Sequence, residues 1–258
     1  MQDIATKTGA RSAVAMSARG PLRGLRRQVL WQLGLDIVSG RYPANSMLPL
    51  ETDILKRFEV SRTVLREATN ALAAKGLIEA RARIGTRVLP RRQWNLFDAD
   101  VLAWHFESGP SGAFLESLAE IRLGIEVEAT VLAAQRRTTA QVDALLTCVG
   151  QMEASAAGDA FASADLEFHR LVAEASANPF MASITGLVEV ALASAFRMSM
   201  PSDDPTALAL TVSQHRRVAE AIRDGDGDAG RRAMRDVIWA GYTRSLGRVA
   251  APATHPPG

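Results

Sequence analysis

The chain has 258 residues, 47% of them hydrophobic but only 5% aromatic, which suits one large or two small domains with cores of Leu, Ala, Val and Ile. A single cysteine, Cys148, excludes an internal disulfide and a Cys-based zinc finger; no run of about eighteen apolar residues and no apolar h-region near Lys7, Arg11 and Arg19 argue against a membrane span or a secretory signal, so the expected location is the cytoplasm. The net charge of +2 conceals a split: residues 1–92 hold 17 Lys and Arg against 7 Asp and Glu, and residues 93–258 hold 13 against 21.

Such asymmetry points to a basic module that meets a polyanion, joined to an acidic module with another task. Only Lys7, Lys56 and Lys75 are lysine; arginine suits bidentate contact with phosphate and guanine edges. Residues 1–20 mix Gly, Ser, Ala and charge without periodicity and read as an arm. Residues 21–90 read as the basic domain. From Leu22 the pattern is helical, with Leu22, Leu25, Val29, Leu33, Ile37 and Val38 on one face and Gly40 as the stop. Turn chemistry over Tyr42–Ser46 leads past Pro49 to a short helix carrying Ile54, Leu55 and Phe58. Ser61 is a suitable N-cap for the next helix, through Val64, Leu65, Ala68, Leu72 and Ala73 to Gly76. Leu77–Ala80 and Thr86–Leu89 read as a hairpin.

This order is that of a winged helix-turn-helix. The helix starting at Ser61 is expected in a DNA major groove, with Arg62 and Arg66 sharing a face and Thr63 beside them. Its N-terminus favours phosphate. Arg81, Arg83 and Thr86 lie on the wing. The stretches Pro49-x-Glu51, Val60–Ala68, Ala73-x3-Gly76-Leu77-Ile78 and Gly85-Thr86-x-Val88 resemble the GntR family of bacterial transcription regulators. The resemblance covers residues 22–90 and implies operator contacts from Ser61, Arg62, Thr63, Arg66 and the wing before Gly85. One departure is Thr52, where the subfamily often has Arg.

Residues 91–110 read as a linker. Trp94 and Trp104 in a short apolar and acidic run suggest a segment docked between domains, or the first turn of the next one. Residues 111–250 are periodic at helical spacing. The expected helices cover 113–136, 139–156, 159–177, 178–200, 206–224 and 229–250, with Leu115, Leu118, Ile121, Ile125, Ala129 and Leu132 of the first facing inward. The fold class is therefore mostly α: the winged domain plus an all-α antiparallel bundle. Asp224–Asp228 looks like a calcium loop but has Arg235 where the twelfth ligand should be Glu, so it reads as a helix-helix turn. Residues 251–258 read as a loose tail.

Asp165 and His169 are four apart on one helix and can face one point with His215, a set that suits a divalent metal such as zinc. No general base or nucleophile motif stands beside them, so no enzyme is expected. Arg122-x3-Glu126, Asp165-x2-Phe168-His169, Asn178-Pro179 and His215-Arg216-x5-Ile222 resemble the effector (FCD) domain of the FadR subfamily, whose metal site uses one Asp and three His. The resemblance assigns metal ligation to Asp165, His169 and His215; the position of the last His holds Val237. Arg92-Gln93-Trp94-Asn95 with Asp98-x-Asp100-Val-Leu-x-Trp104 resembles the galactonate-operon repressors of that subfamily, which also lack the last His. It implies a small carboxylate effector, a sugar acid with D-galactonate first; a homodimer presenting two winged domains to palindromic operator DNA is expected from the symmetry of half-sites. Arg122 is the candidate clamp for that carboxylate, or else the ion-pair partner of Glu126.

Overall fold

A computed structural model of the chain describes residues 24–81, 84–155, 158–185 and 204–250. The chain divides into two compact units, residues 1–108 and 109–258. Among the described residues, no helix is long and apolar enough to cross a membrane.

The first unit runs α1 (residues 24–38), α2 (Glu51–Phe58), α3 (Arg62–Ala74), β1 (Ile78–Arg81), β2 (Gly85–Val88), a 3-10 turn (Arg91–Gln93) and α4 (Ala99–Glu107). Val29, Leu33, Ile37 and Val38 of α1 are buried as their spacing predicts. Leu25, expected on that face, is exposed because the first turn of α1 runs past the core, and Leu22 lies outside the described residues. Ser61 caps α3 by accepting from the Val64 amide at 3.4 Å. The hairpin is antiparallel, with Ile78 opposite Val88 and Arg81 opposite Gly85, one residue displaced from the expected strands. The expected turn before α2 extends into it: Leu48 donates to Thr86 O at 2.8 Å, and Val88 donates to Ser46 O at 2.9 Å.

Residues 91–108 of the expected linker belong to this unit. Trp94 and Trp104 are both buried in the core of this unit with Leu33, Leu72 and Leu77. The Trp104 ring fits because residue 34 is glycine: a Cβ there would meet the indole at 2.3 Å. Gly76, at φ +75°, likewise admits the Gln93 carbonyl, 2.2 Å from where a Cβ would stand. Trp94 Nε1 donates to Leu89 O at 2.9 Å, and Lys75 Nζ is held by Asp98 at 2.7 Å and Asp100 at 2.8 Å. Trp31 Nε1 donates to Glu107 Oε2 at 2.9 Å, tying the last turn of α4 to α1.

The second unit is an all-α antiparallel bundle: α5 (Gly112–Arg136), α6 (Thr139–Ala154), α7 (Asp159–Ala175), α8 (described over 179–185), α9 (Pro205–Asp224) and α10 (Gly227–Ala250). Helix α5 packs along α7, α9 and α10, while α6 lies on α7 and α9. Leu145, Met152, Phe161, Phe168, Val218, Ile222, Met234 and Ile238 fill the core. Ile121, expected inward, is 45% exposed. The buried stripe of α5 runs instead through Leu115, Ala119, Arg122, Glu126, Ala129 and Ala133, so a charged pair occupies the inward face. The Asp224–Asp228 stretch is the α9–α10 turn, with Gly225 at φ +75° and Asp226 accepting from the Ala229 amide at 2.8 Å. The expected continuation of α8 to Met200, the arm, Arg83 and the tail lie outside the described residues.

Candidate functional site

The two units present separate sites. On the first, α3 and the hairpin face one groove, whose lining includes Pro49, Leu50, Arg62, Arg66, Ile84 and Thr86. Arg62 is 81% exposed, with only a loose pair to Glu51 at 3.7 Å. An exposed pair of this kind holds a side chain weakly and yields to a stronger anion. Thr63 and Arg66 are also exposed, and Thr86 is half-buried on β2. Arg81 Nε donates to Glu79 Oε2 at 2.9 Å, on a carboxylate that Arg87 approaches at 3.6 Å. The geometry thus brings Arg62, Arg66 and Thr86 to one groove and sets Arg81 in an ion-pair ladder on the wing. Ser61 contributes its hydroxyl to the start of α3, and Arg83 is not described.

In the second unit, Asp165, His169 and His215 are all buried, and their ligand atoms lie within 4.8 Å of one another. Asp165 Oδ1 is 2.9 Å from His215 Nε2 and 3.4 Å from His169 Nε2. His215 Nδ1 donates to Thr211 O at 2.8 Å; a carbonyl only accepts, so in the neutral ring Nε2 carries the lone pair. His169 Nδ1 lies 2.6 Å from Glu126 Oε2, close but outside hydrogen-bond alignment, and the same tautomer follows from Arg122 Nη2, which only donates and stands 3.5 Å from His169 Nε2. Phe168 packs edge-on against the His215 ring at 5.1 Å.

Three potential ligand atoms therefore converge in a buried interior, where neighbouring acceptors repel one another unless a proton or a cation stands between them. Asp165 Oδ1 and His215 Nε2 are not aligned as a hydrogen bond despite their 2.9 Å separation. Donor atoms of a tetrahedral zinc shell with bonds of ~2.0–2.1 Å stand ~3.3 Å apart, so the set fits a divalent metal. Val237, at the position of the resembling family's last His, is buried in the apolar core and offers no ligand.

Electrostatics follow the same contacts. Burial opposes the Asp165 charge, but His215 and His169 outweigh it and hold the carboxyl well below the usual range. Burial also opposes the Glu126 charge, yet Arg122 and His169 bring its pKa down to about 2. Burial would lower His169, but Glu126 and Asp165 prevail and raise it. Arg122 forms the ion pair with Glu126: Nε donates to Oε1 at 2.6 Å and Nη2 to Oε2 at 3.2 Å. Its Nη2 is also 3.5 Å from His169 Nε2, and the guanidinium borders a small cleft lined by Leu118, Tyr242 and Ser245. Two features escaped the sequence. Glu126 touches His169 as well as Arg122, which the spacing of α5 cannot reveal. Arg244 of α10 lies within electrostatic reach of Asp165; burial lowers its pKa, Asp165 raises it and Arg248 lowers it.

Comparison with known proteins matches both units. Residues 25–88 match the gntR family of bacterial regulatory proteins, and residues 117–239 match the FCD domain. The galactonate operon transcriptional repressor of Escherichia coli K12 is 31% identical over 220 residues, which are 85% of this chain and 95% of that one. The transcriptional repressor NanR of Cronobacter sakazakii is 31% identical over 194 residues, 72% of each chain. Lar, which controls expression of the Listeria monocytogenes agr system, has a solved structure covering 86% of this chain and 96% of its own at 17% identity and a TM-score of 0.60, a likeness of fold alone. With a repressor related over most of its length and both domains matched, the chain is a DNA-binding transcription regulator and not an enzyme: it belongs to the GntR family, in the FadR-type branch that carries an FCD domain.

Proposed function

We propose that this chain is a cytoplasmic repressor of a sugar-acid catabolic operon, released from its operator when the acid binds the helical unit. The observation that carries the reading is the buried Asp165–His169–His215 cluster with the Arg122 guanidinium beside it. Asp165, His169 and His215 would hold a divalent cation, zinc or similar, which when bound supplies open positions for a hydroxy-carboxylate. The guanidinium of Arg122, shared with Glu126, is the proposed partner of the carboxylate, and Arg244 adds positive potential. D-galactonate is the first candidate because a related protein is named for the galactonate operon.

At the other unit, Arg62, Thr63 and Arg66 meet base edges and backbone in the major groove, the helix start at Ser61 takes a phosphate, and Arg81, Arg83 and Thr86 serve the wing. A homodimer presents two such faces to a palindrome. The test is fluorescence anisotropy of the full chain on its own promoter DNA, at fixed salt because such affinities depend on it. D-galactonate is expected to release the DNA and a neutral sugar is not. Tight binding indifferent to galactonate overturns the effector assignment and redirects the search to other sugar acids and acyl ligands.

A further inference from the structure

We propose that Glu126 is a positioning residue of the buried site, fixing the His169 ring through Nδ1 while neutralising Arg122 next to the ligand atoms. This deepens the reading of Asp165, His169 and His215 as a cation site and rests on it. Glu126 is not one of the converging ligands, because it faces the far nitrogen of the His169 ring. It is 4% exposed, and both of its oxygens are engaged: Oε1 accepts from Arg122 Nε at 2.6 Å, and Oε2 accepts from Arg122 Nη2 at 3.2 Å and meets His169 Nδ1 at 2.6 Å.

Two consequences follow. A carboxylate on Nδ1 sets the tautomer and orientation of a ligating imidazole and raises the basicity of Nε2. His215 obtains only a backbone carbonyl for that purpose, from Thr211 on its own helix. Glu126 comes from α5, whereas the ligands come from α7 and α9, so one buried side chain ties a third helix to the site. Its charge also offsets Arg122, whose Nη2 is 3.5 Å from His169 Nε2. Without that offset, a guanidinium would oppose a divalent cation at the same nitrogen.

The experiment measures Zn2+ affinity of the full chain by competition with a chromophoric chelator. Removal of such an outer partner weakens metal binding ~10–100-fold, and Glu126→Gln is expected in that range. A second pair separates ring positioning from charge balance. Arg122→Met and Arg122→Met/Glu126→Met contain no arginine to neutralise, and the double variant is expected to bind Zn2+ ~10–100-fold more weakly than the single one. Equal affinity of these two proteins, both melting cooperatively, overturns the positioning role. Absence of Zn2+ binding by the unaltered chain overturns the cation reading itself, a distinguishable failure.

Discussion

Ser61 and Arg62 are neighbours with different work. The Ser61 hydroxyl is committed to the start of α3, whereas Arg62 is free to leave its weak Glu51 pair. Arg62→Ala and Arg66→Ala are each expected to cost ~1–3 kcal/mol on operator DNA, with a smaller loss on random DNA. Anisotropy on both DNAs decides this, since equal losses would reassign the arginines to phosphate contact. His105, which has no part in either site, supplies a pH prediction. Burial, helped by the positive charge of Arg91, lowers its pKa from 6.5 to about 4. The unfolded chain therefore takes up a proton that the folded unit refuses. The stability tied to neutral His105 is complete above pH 6.5 and declines as pH falls from 6.5 towards 4. Thermal melts across this window should show a drop that His105→Phe flattens; parallel curves would refute the assignment. At this scale the sequence was legible where helical spacing sufficed. Asp165 and His169 share a face by being four apart, but the tie from Glu126 to His169 depends on how α5 meets α7.

Element α4 shows what periodicity alone misjudges. Asp98–Trp104 is apolar and acidic, and its spacing reveals no partner, so it reads as a linker. The partner is α1, which admits the Trp104 ring at a glycine. Gly34→Ala therefore sets two effects against each other. Alanine in a helix interior gains ~1 kcal/mol over glycine. Here its Cβ would stand 2.3 Å from a fully buried indole, and overpacking a tight core costs ~1–3 kcal/mol. The clash should win, lowering the melting temperature of the first unit, and Gly34→Ala/Trp104→Leu should recover part of the loss against Trp104→Leu alone. A Gly34→Ala protein more stable than the unaltered chain would show that the ring retreats without cost. Helix α5 misleads in the opposite way. An apolar count turns Ile121 inward, but the pairing of Arg122 with Glu126 lets two charges occupy the buried stripe. Winged-helix order and bundle class were legible because capping residues, glycine stops and long apolar repeats mark them locally.

For the whole molecule, the proposed switch is a free energy shared between two units. If a sugar acid in the bundle weakens operator binding by some factor, operator DNA must weaken the acid's binding by the same factor, whatever path joins the sites. Couplings of ~1–3 kcal/mol correspond to about 5–150-fold, enough to empty an operator without abolishing the fold. Calorimetric titration of D-galactonate into the free protein and into its operator complex measures this directly. The expected result is a Kd higher on DNA by the same factor that galactonate applies to DNA affinity in the anisotropy experiment. Asp165→Asn should lose galactonate binding while retaining operator affinity, because Asp165 lies in the second unit and the residues proposed to meet DNA lie in the first. If galactonate bound with one Kd in both states, yet still released DNA, release would not arise from binding in the bundle. The acid would then be acting at the DNA-reading face, as a competitor for Arg62 and Arg66, and the two units would be independent.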